Sequence, residues 1–131
     1  MREKQPILLV EDDLSLRDSL CAFLQAHGYA TLTAATARAG WELIRNRRPA
    51  VCLIDLNLPD GSGLDLVKKI VRQGAKTRVV VMTAFDLANM RPAGADEVLV
   101  GWMTKPVHPD ELLTMVEKAL AELESTAPTD E

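Results

Sequence analysis

Cysteine, histidine and aromatic residues are scarce in this chain. Of its 131 residues two are Cys and two are His, and aromatics make up 4%. Cys21 and Cys52 lack the close pairing that metal sites use, and two cysteines make no disulfide scaffold. Both are read as small core residues in a reducing compartment. Long apolar runs are missing as well. None approaches the roughly 20 residues of a membrane span. Met1 to Gln5 lead into only a short apolar stretch before Glu11, too little for a secretory signal. A cytoplasmic protein without membrane attachment is expected. There is no strong charge excess either. The net charge of -4 argues against direct nucleic-acid binding. The basic cluster Arg45-Asn46-Arg47-Arg48 is short and interrupted, and falls at a predicted helix end, where cations offset the helix dipole.

What remains is an ordinary globular composition, 47% hydrophobic and 26% charged. One domain of this length buries about two-thirds of its unfolded surface and needs no covalent staple. There is no internal repeat. The polar ends, Met1 to Gln5 and Ser125 to Glu131, are expected to fray.

Between the ends, short apolar runs alternate with helical periodicity. Pro6 to Val10 reads as a buried strand. Leu16, Leu20, Phe23, Leu24 and His27 mark a helix that Gly28 stops, with Asp13 as N-cap. Tyr29 to Thr33 is a weaker strand. Thr36 to Arg47 is a helix with Gly40, Leu43, Ile44 and Arg47 along one stripe; Trp41 lies off it. Val51 to Ile54 is a third strand. Leu64, Val67, Ile70 and Val71 mark a helix closed by Gly74. Arg78 to Met82 is a fourth strand. The pattern blurs from Asp86 to Arg91, a marginal helix before Pro92. Glu97 to Met103 reads as a strand, although a helical turn over its first half is an alternative. A last helix starts near Pro109. Strands this apolar are covered on both faces. Their alternation with helices predicts parallel βαβ units in a three-layer α/β domain.

Ligands of such sheets bind beyond the carboxyl ends of the strands. There stand Glu11, Asp12 and Asp13 after the first run, Asp55 after the third, Thr83 after the fourth, and Lys105 and Pro106 after the last. Carboxylates a few Å apart repel by about 1–4 kcal/mol per pair, so the group calls for a cation. Oxygen ligands with room for water favour Mg²⁺ over Ca²⁺, and the lack of His or Cys speaks against zinc. Mg²⁺ with a Lys and a hydroxyl suits phosphoryl chemistry, in which a carboxylate can be the nucleophile. Taken singly, each residue has a plainer role: Asp12 or Asp13 as an N-cap, Asp55 in a turn, Thr83 as a cap, Lys105 on the surface. Their coincidence at successive strand ends favours a site.

These residues resemble the receiver domain of two-component response regulators over about residues 6 to 124. The resemblance rests on Val10-Glu11-Asp12-Asp13, on Asp55-Leu56-Asn57-Leu58-Pro59-Asp60-Gly61-Ser62-Gly63-Leu64, on Met82-Thr83-Ala84 and on Thr104-Lys105-Pro106. It implies a flavodoxin-like fold with a five-stranded parallel sheet in the order 2-1-3-4-5, a receiver over 1–124, and a polar tail or start of a linker at 125–131. It implies that Asp55 accepts a phosphoryl group from a phosphohistidine on a sensor histidine kinase or phosphotransfer protein. Mg²⁺ would be held by Asp12, Asp55 and the Asn57 carbonyl, with Glu11 in support. Lys105 and Thr83 would bind phosphoryl oxygens, Ala84 would leave the donor room, and Lys105-Pro106 would be cis. Trp102 takes the place of the family's state-reporting aromatic. Such a domain is a regulatory switch that assists its own phosphorylation and dephosphorylation rather than an enzyme. It would act on an output domain or downstream protein, or as a homodimer. Asn57 and Phe85 stand where the family tunes phosphoryl loss, and Phe85 cannot orient a water, which implies slow self-hydrolysis.

One feature departs from the family. Gly94-Ala95 lies further from Trp102 than usual, and the fourth helix is short, so an atypical fourth-helix surface is expected. Two other functions remain to be separated from this one. A Mg²⁺-dependent phosphatase with an Asp nucleophile would want a second Asp where Asn57 stands. A receiver-like module that binds partners without phosphorylation would not need the complete acid set. Gly61-Ser62-Gly63 is neither a P-loop nor a dinucleotide fingerprint.

Overall fold

The computed structural model describes residues 5–84 and 98–125. Strands β1 (Ile7–Val10), β2 (Thr31–Ala34), β3 (Val51–Asp55), β6 (Arg78–Thr83) and β7 (Leu99–Thr104) form one parallel sheet in the order β2-β1-β3-β6-β7. A two-stranded hairpin, β4 (Asn57–Leu58) with β5 (Gly61–Ser62), sits between β3 and the next helix. Leaving that hairpin out, the order is the expected 2-1-3-4-5. The helices are α1 (Leu14–Ala26), α2 (Ala37–Arg47), α3 (Gly63–Arg72) and α4 (Pro109–Ser125).

The strand residues divide by parity, because successive side chains point to opposite faces. Leu8, Val10, Cys52, Ile54, Val79 and Val81 pack with Ile44 of α2 and with Leu66, Val67 and Ile70 of α3. Ile7, Leu9, Val51, Leu53, Val80 and Met82 pack with Leu20 and Leu24 of α1 and with Leu112, Val116 and Ala119 of α4. The sheet is thus covered on both sides, in three layers. Cys52 is fully buried as expected, whereas Cys21 is only half-buried.

Helix ends follow local chemistry. Asp13 caps α1 by accepting from the Leu16 amide, and Thr36 caps α2 by accepting from Ala39. α1 closes with Gly28 at φ 90°. Gly28 N–H donates to Gln25 O and Tyr29 N–H to Leu24 O, the paired bonds of a Schellman turn. Gly74 and Ala75 make the same pair with Val71 and Ile70 at the end of α3. This explains one shift from expectation: Tyr29 is spent on the turn, so β2 begins at Thr31 rather than Tyr29. α3 begins one residue early, at Gly63, because Ser62 is its N-cap. Arg47 is exposed rather than on the buried stripe. Trp41, which the periodicity leaves off that stripe, packs against the α2–α3 core with the Lys69 ammonium 5.1 Å from its ring centroid.

β7 carries a bulge. Val79 pairs with Leu99 but Val80 pairs with Gly101, leaving Val100 as the extra residue. Phe85, the marginal helix at 86–91, Pro92, Gly94-Ala95 and the atypical fourth-helix surface all lie outside the described residues.

Candidate phosphoacceptor site

The sheet order creates the site. β1 and β3 are neighbours, with Val10 opposite Ile54, so Glu11, just past β1, and Asp55, the last residue of β3, stand side by side at the sheet's edge. β1 connects outward to β2 and β3 connects the other way to β6, so a crevice opens at their carboxyl ends. Glu11, Asp12 and Asp55 each bring a carboxylate oxygen there, all within 4.8 Å of one another. Glu11 and Asp55 are buried, at 0% and 4% exposure, and Asp12 is exposed at the rim.

Lys105 reaches the same crevice from β7. The Lys105 amide donates to Thr83 O at 2.7 Å, which fixes the chain just past the paired Thr83 and Thr104. Lys105 Nζ donates to Glu11 Oε1 at 2.8 Å and to Asp55 Oδ2 at 2.9 Å. Burial pulls the Lys105 ammonium down, but its hydrogen bonds to Glu11 and Asp55 outweigh that and hold its pKa above 10.5. Burial pushes Glu11 above the usual carboxylate range despite the bonds from Lys105 and the Asp13 amide. The Lys105–Pro106 peptide is cis. Thr83 is buried at the end of β6, and Ala84 beside it is exposed. Trp102, on β7, is half-buried against the α2–α3 core.

The loop after β3 holds Asp55 from the other side. Asn57 N–H donates to Asp55 Oδ1 at 3.1 Å, and Gly63 N–H to Leu56 O at 2.9 Å. A Cβ on Gly63 would collide with the Asp55 carbonyl oxygen, so only glycine lets α3 start this close to Asp55.

The sequence reading missed three contributors. Arg17 Nη1 donates to Glu11 O at 3.1 Å. Gly63 is required by backbone approach. Asp60 caps α2 from across the loop, accepting from Ala37 at 2.8 Å and Arg38 at 3.0 Å. Gly63 and Asp60 shared one sequence signal, their place in the quoted loop; Arg17 had none. Of the two acids that could have been an N-cap, Asp13 caps α1 and Asp12 joins the cluster.

Residues 7–117 match the family model of the response regulator receiver domain. The chain belongs to that family. This receiver is 30% identical over 125 residues to the photosynthetic apparatus regulatory protein RegA of Rhodobacter capsulatus, covering 95% of this chain and 66% of RegA. It is 33% identical over 124 residues to the response regulator MprA of Mycolicibacterium vanbaalenii, covering 95% of this chain and 52% of MprA. The chain therefore spans between about half and two-thirds of these relatives. The receiver domain protein (CheY-like) of Methanospirillum hungatei superposes with a TM-score of 0.82 at 27% identity, over 94% of this chain and 98% of that one. The chemotaxis protein CheY4 of Vibrio cholerae superposes with a TM-score of 0.80 at 28% identity, over 90% of this chain and all of that one. The receiver is a regulatory domain of two-component signal transduction, and its acidic crevice is consistent with a phosphoacceptor site. Among the described residues no helix is long and apolar enough to cross a membrane.

Proposed function

We propose that Asp55 is the phosphoacceptor of this receiver and that Glu11, Asp12 and Asp55, with the Asn57 carbonyl, hold Mg²⁺. The observation that supports this reading most is the convergence of three carboxylates and Lys105 on one crevice. The donor set fits the ion: hard oxygens, an exposed rim at Asp12 for water, and three negative charges against one ammonium. When bound, Mg²⁺ would neutralise charge on the phosphoryl oxygens.

The remaining chemistry falls to the chain itself. A carboxylate oxygen of Asp55 attacks the phosphorus of a phosphohistidine. An O–P bond forms, the P–N bond breaks, and the imidazole keeps its electron pair and takes a proton from solvent. Asn57 N–H and Lys105 Nζ orient the Asp55 carboxylate from its two sides. With the phosphoryl group in place, Lys105 pairs with one of its oxygens and Thr83 with another. Ala84 leaves space for the donor, and Trp102 reports the change of state. The group adds about -1.5 to -2 charge to the crevice, which biases the receiver between two states. In this role the domain assists its own phosphorylation and dephosphorylation.

The partners in this reading are a sensor histidine kinase or phosphotransfer protein in the cytoplasm, a second copy of the receiver, and an output domain or downstream protein. Residues 1–124 act as the receiver and 125–131 as a tail or start of linker. The test is acetyl phosphate with and without Mg²⁺, read by intact mass. The wild type should gain one phosphoryl group only with Mg²⁺, and Asp55→Asn should gain none. A wild type that stays unmodified, or an Asp55→Asn variant modified equally well, overturns the reading.

A further inference from the structure

The turn of the β4–β5 hairpin is Pro59-Asp60, and the Asp60 side chain leaves its own loop. Its Oδ1 accepts from the Ala37 amide at 2.8 Å and its Oδ2 from the Arg38 amide at 3.0 Å. These are the first two amides of α2, which no intrahelical carbonyl can serve. Thr36 already serves the Ala39 amide. Both carboxylate oxygens are thus engaged by a helix more than twenty residues earlier in the chain, and the positive end of that helix favours the charge. Those two amides also hold Asp60 below the usual carboxylate range.

At the other end of the same hairpin, Asn57 pairs with Ser62 and its amide donates to Asp55 Oδ1. Leu58 is buried in the α2–α3 core. A continuous series of contacts therefore runs from the α2 amides through Asp60, the turn and the hairpin to the Asp55 carboxylate.

We propose that Asp60 is a positioning residue: by pinning the hairpin tip to α2 it fixes Asn57 against Asp55 and so tightens the cation site. This inference rests on the phosphoacceptor reading above. An ordinary helix cap would stabilise α2 and leave the cation site alone, and the two roles are separable. Thr36→Ala removes a cap from the same helix end without touching the hairpin, whereas Asp60→Ala removes the tie itself.

The experiment titrates the full chain with Mg²⁺ alone, by calorimetry, for the wild type, Asp60→Ala, Asp60→Asn and Thr36→Ala. Amide exchange at Asn57 is followed without Mg²⁺, and melting temperatures are taken in parallel. Asp60→Ala should weaken Mg²⁺ binding about three- to tenfold, less than groups that contact a metal ligand directly, and should speed exchange at Asn57. Asp60→Asn, which keeps one acceptor, should fall between. Thr36→Ala should lower the melting temperature while its Mg²⁺ affinity stays within about twofold of the wild type. Wild-type Mg²⁺ affinity in Asp60→Ala, unchanged exchange at Asn57, or equal weakening in Thr36→Ala overturns the inference. A wild type that binds no Mg²⁺ overturns the phosphoacceptor reading instead, whatever the exchange at Asn57 shows.

Discussion

Glu11 and Asp55 are almost sealed from water, and both accept from one ammonium, that of Lys105. Removing one partner of a buried pair leaves an uncompensated charge, at a cost of about 3–5 kcal/mol. The Lys105 side chain keeps 24% exposure, so Lys105→Met should fall at the low end, about 3 kcal/mol at pH 8. The sign of the pH dependence follows from Glu11. Glu11 already lies above its ordinary 4.5 in the folded chain, so the folded state binds its proton more tightly than the unfolded state. Stability from that group is highest in acid and falls as pH rises from 4.5 to the raised value. Lys105 is among the groups that hold Glu11 down, so without it Glu11 rises further and the variant should lose less stability at pH 5 than at pH 8. Lys105 itself is held above 10.5, so its contribution is complete at neutral pH and is lost only as pH climbs past that value. Urea unfolding of wild type and Lys105→Met at the two pH values checks this, and an equal loss at both would refute it. Residue identities in the crevice were legible because acids just after apolar runs are conspicuous. Arg17 and Asp60 were not, because what they bind is backbone, the Glu11 carbonyl and the first two amides of α2, which no side-chain pattern marks.

At the scale of elements, the loop from Asp55 to Gly63 is the most constrained stretch. Gly63 begins α3 with no room for a Cβ: that atom would meet the Asp55 carbonyl oxygen and lie 2.8 Å from Ile54 Cγ2. Backbone cannot swing aside as a side-chain end can. Gly63→Ala should therefore cost about 3 kcal/mol, or roughly 10 °C of melting temperature in a domain of this size. It should also displace the loop from Asp55 to Gly63, so acetyl phosphate labelling should fall with stability; a variant that melts and labels like the wild type would refute this. Gly101→Ala is the useful contrast, since its Cβ would meet only the flexible end of Met115. The helices were legible from their apolar spacing and their glycine stops. β2 was placed two residues early, because Tyr29 is apolar enough to look like a strand while its amide closes the α1 turn. The bulge at Val100 had one sequence signal, Gly101 directly after it, since a glycine inside a strand often marks a bulge; it went unread.

For the whole molecule, an ion that binds the folded chain and not the unfolded one must stabilise it. At ten times its dissociation constant, Mg²⁺ should add about 1.4 kcal/mol, seen as a rise in melting temperature. Asp12→Ala should abolish that rise with little change in the metal-free melting temperature, since Asp12 is exposed and takes part in the acid cluster. A full Mg²⁺ response in Asp12→Ala would exclude it as a ligand. The two cores on either face of the sheet explain why the site edge can hold mutual repulsion: the charges sit on a framework whose stability comes from elsewhere.

The order of residues alone set the layers, since runs of buried β-branched and aliphatic residues alternating with amphipathic helices leave little besides a doubly covered parallel sheet. It also determined which acids, hydroxyl and ammonium stand at strand ends, because those positions are counted along the chain. Which strand ends are neighbours came from the family resemblance and not from periodicity, while how far Lys105 reaches and what Asp60 holds are visible in the folded chain alone. Those are matters of distance between segments far apart in the chain, and local propensity carries no information about them.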